Sequence, residues 1–91
     1  MERKRNKLEV VYDILKVINN KNGKIKPTHI LYKSNLSYIM MKEYLGELIE
    51  KGLIKEQTFN GKKSYLVTKK GTDYLEKFNL IQNFTDSFGL N

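Results

Sequence analysis

The sequence predicts a mainly helical α+β fold, in which three helices lead into one antiparallel hairpin and a closing helix. Three observations predict it. Apolar residues recur at helical spacing in separate stretches along the chain, and Asn60-Gly61 stands between two short β-favouring runs. Asn35 lies between two helical stretches, where a tight corner is needed and left-handed backbone is tolerated.

Leu8, Val11, Leu15 and Ile18, flanked by Val10, Ile14 and Val17, give the period of a helix from Lys7 to Asn19 with a broad buried face. Asn6 suits its start, and Asn19, Asn20, Asn22 and Gly23 stop it. Lys24-Ile25-Lys26 is short and alternating and reads as one small strand. Pro27 fits the first position of a second helix, where its missing N–H would have no partner anyway. Thr28 to Ser34 continues that helix, with Ile30 and Leu31 apolar. After Asn35 and Leu36, Ser37 is a good N-cap for a third helix. Met41, Leu45 and Leu48 then fall at i, i+4 and i+7, widened by Tyr44 and Ile49, and Gly52 ends the helix after Lys51. Leu53 to Thr58 reads as a strand. Asn60-Gly61 suits a type I′ turn, whose central residues both need φ > 0. Ser64 to Thr68 is the return strand, with Tyr65 and Val67 on one face and Leu66 on the other. The tip presents Asn60, Gly61, Lys62 and Lys63. The last helix starts at Lys69 or Lys70 and runs to Asn83 or further, with Tyr74, Phe78 and Ile81 at helical spacing and Leu75 beside them. Gly71 is expected to weaken its first turn. Residues 1–70 thus read as one domain with a basic N-terminal arm, and residues 71–91 as a C-terminal helix.

Charge is distributed unevenly. Residues 1–33 carry nine Lys/Arg against three acids and residues 62–70 four against none, whereas residues 34–61 have three against four and residues 71–91 one against three. The basic excess therefore sits in the N-terminal third and around the hairpin tip, which fits a polyanion such as nucleic acid or an anionic membrane. No apolar run is long enough to span a bilayer, and no apolar signal region follows the basic start. A cytoplasmic, nucleoid-associated protein is expected. With 91 residues and no cysteine, the chain has a thin core and no disulfide or thiolate metal site to supplement it. A second copy of the chain would supply the missing buried area. His29 is the sole histidine and has no companions at metal-ligand spacing. There is no nucleophile elbow, phosphate-binding glycine loop or zinc-protease motif. The sequence accordingly predicts no catalytic residue, metal, cofactor or small-molecule ligand.

In order, the elements are helix, short strand, helix, corner, helix, hairpin, helix. That is the order of a winged helix-turn-helix with a two-stranded wing. With Met41, Leu45 and Leu48 facing inward, Ser37, Tyr38, Ile39 and Lys42 face outward on the half of the helix that enters a DNA major groove. Ser37 and the first-turn amides suit a phosphate, Tyr38 a phosphate or base edge, Ile39 with Met40 a thymine methyl, and Lys42 supplies charge. Packing against the second helix or a partner is the alternative for Tyr38, Ile39 and Met40. Lys62 and Lys63 at the tip are placed to reach phosphates or the minor groove. Lys26, Thr28 and Lys33, with Lys24 nearby, flank or belong to the second helix, which would cross the DNA backbone. Arg3 and Arg5 form a basic arm. Tyr74, Leu75, Phe78, Ile81 and Phe84, followed by Phe88, offer more apolar surface than a small domain covers, so a homodimer through this helix is expected. The alternative is that its first turns fold back on the first helix.

Lys7-Leu8-Glu9-Val10-Val11-Tyr12-Asp13-Ile14-Leu15 resembles the opening of small archaeal winged-helix proteins with a dimerising C-terminal helix. Lys26-Pro27-Thr28-His29-Ile30-Leu31-Tyr32-Lys33-Ser34-Asn35-Leu36-Ser37-Tyr38 is similar to their helix-turn-helix. Tyr44-Leu45, Lys51-Gly52-Leu53-Ile54 and the stretch from Tyr65 to Gly71 continue the likeness over residues 5–80. The family includes chromatin proteins and transcription regulators. The resemblance implies double-stranded DNA binding as a regulator or architectural factor, an archaeal or archaeal-virus source, and an antiparallel coiled-coil dimer. Asn79, Gln82, Asn83, Asp86 and Gly89 interrupt the last helix, so a long regular coiled coil is not expected. Ile39-Met40 also stands where a more polar pair belongs. The rival reading is a winged-helix protein-protein interaction module, favoured by Ile39, Met40 and the aromatic tail and opposed by the basic block at residues 62–70.

Overall fold

Asn6 opens the first helix with a reciprocal cap: its side-chain oxygen accepts from Glu9 N at 2.9 Å, and Glu9 Oε1 accepts from Asn6 N at 3.2 Å. In the computed structural model, which describes residues 5–21 and 24–90, this helix is α1 (Lys7–Asn20). It buries Val10, Val11, Ile14, Leu15 and Ile18, the last three completely. Full burial of an aliphatic side chain of this size contributes about 1.5–3 kcal/mol, so α1 is the axis of the core.

The expected strand at Lys24–Lys26 is absent. Neither strand of the hairpin takes it as a third member, and among the described residues the sheet holds β1 and β2 alone. Its one apolar residue is nonetheless used: Ile25 is 1% exposed and plugs the core between the exposed Lys24 and Lys26. The single side chain pins the connection without a ladder of hydrogen bonds.

Pro27 begins α2 (Pro27–Ser34), and Asn35 closes it in the left-handed region at φ 54° and ψ 52°. Leu36 N donates to Leu31 O at 3.1 Å and its side chain is buried, which anchors the corner. Ser37 caps α3 (Tyr38–Glu50) by accepting from Met40 N at 3.2 Å. Met41, Leu45 and Leu48 face the core as their spacing predicted. Lys7 Nζ meets Glu47 Oε1 at 2.6 Å and ties α1 to α3; that hydrogen bond and the carboxylate charge raise the Lys7 ammonium above its ordinary pKa.

β1 (Ile54–Phe59) and β2 (Lys62–Val67) pair antiparallel around Asn60-Gly61, whose φ values are 52° and 73°. The strands run one or two residues nearer the turn than expected, so Lys62 and Lys63 belong to the ladder rather than to a free tip. Register places Glu56 opposite Tyr65 and Thr58 opposite Lys63. Side chains alternate, but burial is not one-sided: Ser64 and Tyr65 are both buried. Ser64 lies towards the Ile25 segment and Tyr65 towards α3, so the hairpin is covered on both faces at its middle.

α4 (Lys69–Ser87) is joined to the end of α3 through its cap. Thr68 Oγ1 accepts from Gly71 N at 3.2 Å and donates to Gly52 O at 2.6 Å, and Lys70 Nζ donates to Lys51 O at 2.7 Å. Gly71 does not merely weaken this turn. It is buried, and a Cβ on it would lie 2.3 Å from Leu53 O and 2.6 Å from Val67 Cγ1. Tyr74 and Leu75 pack against the core. The Tyr74 hydroxyl donates to Leu8 O at 2.7 Å, and Phe78 stacks on Tyr12 with ring centroids 4.4 Å apart. The start of the C-terminal helix is therefore part of the domain.

One core detail is not optimised. Ser34 is 1% exposed and its hydroxyl has no hydrogen-bond partner among the described residues. An unsatisfied buried hydroxyl costs about 1–3 kcal/mol, and alanine is also the better helix former. Ser34→Ala is expected to raise stability by about 1 kcal/mol, read in thermal unfolding as an increase of about 4–8 °C.

Candidate nucleic-acid interface

The candidate interface is built from the first turns of α3, the hairpin and the segment entering α2. After the corner at Asn35, the first turn of α3 points away from the core: Tyr38 is 58% exposed, Ile39 70% and Met40 43%. Ser37 and Lys42 are exposed as well. Lys42 Nζ sits 5.5 Å from the centre of the Tyr38 ring, a cation–π contact that holds both at one edge of the helix. Met40 turns the other way, towards Lys7, Tyr44 and Glu47, which leaves Ile39 as the outward apolar residue.

The alternation of β2 sends its two lysines to different neighbours. Lys63 borders a groove with Tyr38, Lys42, Gly46 and Glu56, between α3 and the hairpin. Lys62 borders the adjacent recess with Lys24, Lys26, Asn60 and Ser64. Lys63 lines both hollows. Lys42, Lys63, Lys62, Lys26 and Lys24 thus make one basic band running from α3 across the hairpin to the start of α2. Glu56 sits inside it, 3.6 Å from Lys63, a negative charge within the basic band. Burial first, then the Glu56 carboxylate opposite and Tyr38, push the Tyr65 phenol above its ordinary pKa, so it stays neutral behind the groove. Gly46 leaves the groove wall bare, since a Cβ there would meet nothing within 4 Å.

Of the residues expected from sequence, Tyr38, Lys42, Lys26, Lys62 and Lys63 line the two hollows of this band, while Ser37 and Ile39 are exposed at the start of α3 and border neither. Thr28 and Lys33 are exposed on α2 but border neither hollow. Arg3 lies outside the described residues. Arg5 is no free arm residue: its guanidinium is held by Asp13, Ser34 and Asn35. The reason is local, because a carboxylate one turn and more into α1 and two corner carbonyls converge on it. Lys24, expected beside the second helix, lines the recess, whereas Glu56 was not among the expected residues. The register set by Asn60-Gly61 carried the signal for Glu56, since counting outward from the turn puts it on the face of Lys63 and Tyr65.

The residues expected to dimerise divide in two. Tyr74, Leu75 and Phe78 are occupied within their own chain. Ile81 (64%) and Phe84 (60%) are exposed on the last turns of α4, as are Leu80 on the same helix and Phe88 at its C-cap. Among the described residues no group of three or more His, Asp or Glu could hold a metal ion, and no helix is long and apolar enough to cross a membrane.

The winged helix-turn-helix family model matches residues 4–86. MJ0290, an uncharacterized protein of Methanocaldococcus jannaschii, is 35% identical over 74 residues, covering 81% of this chain and 32% of its own, so this chain spans about a third of that relative. MJ0287 of the same archaeon, also uncharacterized, is 38% identical over 68 residues, 68% of each chain. The crystal structure of Sso10a-2, a DNA-binding protein from Sulfolobus solfataricus, is similar with a TM-score of 0.73 at 27% identity, covering 93% of this chain and 90% of that one.

Proposed function

Because the chain belongs to the winged helix-turn-helix family, we propose that it binds double-stranded DNA as a homodimer, in the cytoplasm on the nucleoid, as a transcription regulator or architectural factor. The start of α3 enters the major groove, and the hairpin wing follows the adjacent backbone or minor groove. The observation that carries this reading is the continuity of the basic band: Lys63 belongs both to the groove beside α3 and to the recess with Lys62, Lys26 and Lys24. A single duplex would meet the exposed Tyr38, Ile39 and Lys42 and the lysines of the wing together. The lysines position the protein on phosphates, while Tyr38 and Ile39 are the side chains placed to read base edges and thymine methyls. The likeness to Sso10a-2 supports the same reading.

The homodimer is supported by the exposed Ile81 and Phe84, at i and i+3 near the end of α4, and by the exposed Phe88 at its C-cap. The hollow between that end and α1, lined by Leu8, Phe78 and Ile81, extends the apolar surface.

The test is titration of random-sequence and selected duplexes at several salt concentrations, with the mass of the free protein measured by light scattering. Binding that falls steeply with salt, by a species of twice the 10.7 kDa chain mass, is the expected result. Absence of duplex binding at low salt overturns the DNA assignment and returns the protein-interaction reading. A chain of single mass removes the homodimer.

A further inference from the structure

Arg5 joins oxygens from two elements. Its Nη1 donates to Asp13 Oδ2 on α1 at 2.5 Å, and its Nη2 donates to Ser34 O at 2.6 Å and Asn35 O at 3.3 Å. Ser34 is the last residue of α2 and Asn35 is the left-handed corner residue. A helix end leaves its final carbonyls without intrahelical donors and concentrates partial negative charge there. α2 is only eight residues long, so its own ladder holds that end weakly. The corner in turn sets where α3 starts, two residues later at its Ser37 cap.

We infer that Arg5, held by Asp13, is a positioning residue: it clasps the helix-turn-helix corner to α1 and so sets the angle at which α3 presents Tyr38, Ile39 and Lys42. The chemistry demands arginine. A planar guanidinium offers donors in a fixed fork that spans a carboxylate and two carbonyls at once, whereas a lysine ammonium is a single compact point of charge. The Asp13 carboxylate also neutralises Arg5 internally, which separates it from Lys62 and Lys42 as a source of attraction for phosphate. The effect on DNA rests on the DNA-binding reading above; the clasp itself does not.

The experiment compares the full chain with Arg5→Lys, Arg5→Ala and Asp13→Asn. Amide hydrogen exchange at Asn35 and Leu36 is followed by NMR without DNA, and a selected duplex is titrated over a range of salt. All three variants are expected to speed exchange at the corner about tenfold while Ile14 and Leu15 keep their protection. Arg5→Lys, which retains the charge, is expected to bind the selected duplex about tenfold more weakly with the salt slope unchanged. Wild-type exchange and affinity in Arg5→Lys would overturn the clasp. So would a slope shallower by about 0.9 in Arg5→Ala with corner exchange unchanged, because Arg5 would then be a phosphate contact. If the parent chain binds no duplex, the exchange measurement alone decides: faster corner exchange upholds the clasp and unchanged exchange rejects it. Should Arg5→Ala fail to fold, Arg5→Lys and Asp13→Asn carry the same comparison.

Discussion

Gly71→Ala is expected to destabilise the protein by about 2–3 kcal/mol, lowering its unfolding temperature by about 10 °C or more. Helix propensity alone gives the opposite sign, since alanine in place of an interior helical glycine stabilises by about 1 kcal/mol. The added Cβ decides between the two effects. It would stand 2.3 Å from Leu53 O and 2.6 Å from Val67 Cγ1, and the first of these is backbone that cannot turn aside. Relief requires α4 to lift from the hairpin, and the Thr68 cap to Gly52 and the Tyr74 bond to Leu8 resist that movement. Gly46→Ala is the control. Its Cβ meets nothing, so propensity acts alone and stability rises by up to about 1 kcal/mol. Urea unfolding of the two variants should move in opposite directions; equal gains would mean that α4 does not press on the hairpin.

Replacing both Lys62 and Lys63 with alanine is expected to weaken duplex binding on the order of tens-fold at 0.1 M salt, alike for every sequence tested, with a salt slope shallower by up to about 1.8. The two lysines should contribute unequally. Lys62 borders the recess with Lys24 and Lys26, which has no acid among its described lining residues, whereas Lys63 pairs with Glu56 at 3.6 Å. Lys62→Ala should therefore account for the larger part, and Glu56→Gln should tighten binding because it removes a negative charge from the band and releases Lys63. The expected order of affinity is Glu56→Gln, parent, Lys63→Ala, Lys62→Ala, then the double variant. A double variant that binds as the parent does would show that the wing stays clear of the DNA.

Much of the candidate interface was legible because its signals are local. Asn35 at a corner, Ser37 as a cap, and Met41, Leu45 and Leu48 at helical spacing depend on residues a few positions apart, so the outward set Ser37, Tyr38, Ile39 and Lys42 followed. The strand at Lys24–Lys26 misled for the same reason: alternation is a property of three residues, but a strand needs a partner, and the hairpin edge does not take this segment. The basic arm was legible in composition but not in contact. Nothing near Arg5 in sequence announces that Ser34 and Asn35, some thirty positions on, will present two carbonyls to it.

The sequence by itself determined the helical runs, the left-handed corner, the type I′ turn and with it the hairpin register, because each depends on backbone preferences and side-chain periods within a few residues. Only the tertiary structure decided which cations face outward, how α4 is shared between its own domain and a free apolar end, and that Gly71 is a point of close approach. Those outcomes depend on which surfaces distant segments present to one another. Arg5 and Lys62 carry the same charge, and their opposite assignments come from packing, which brings three oxygens to Arg5 and leaves Lys62 exposed at the recess.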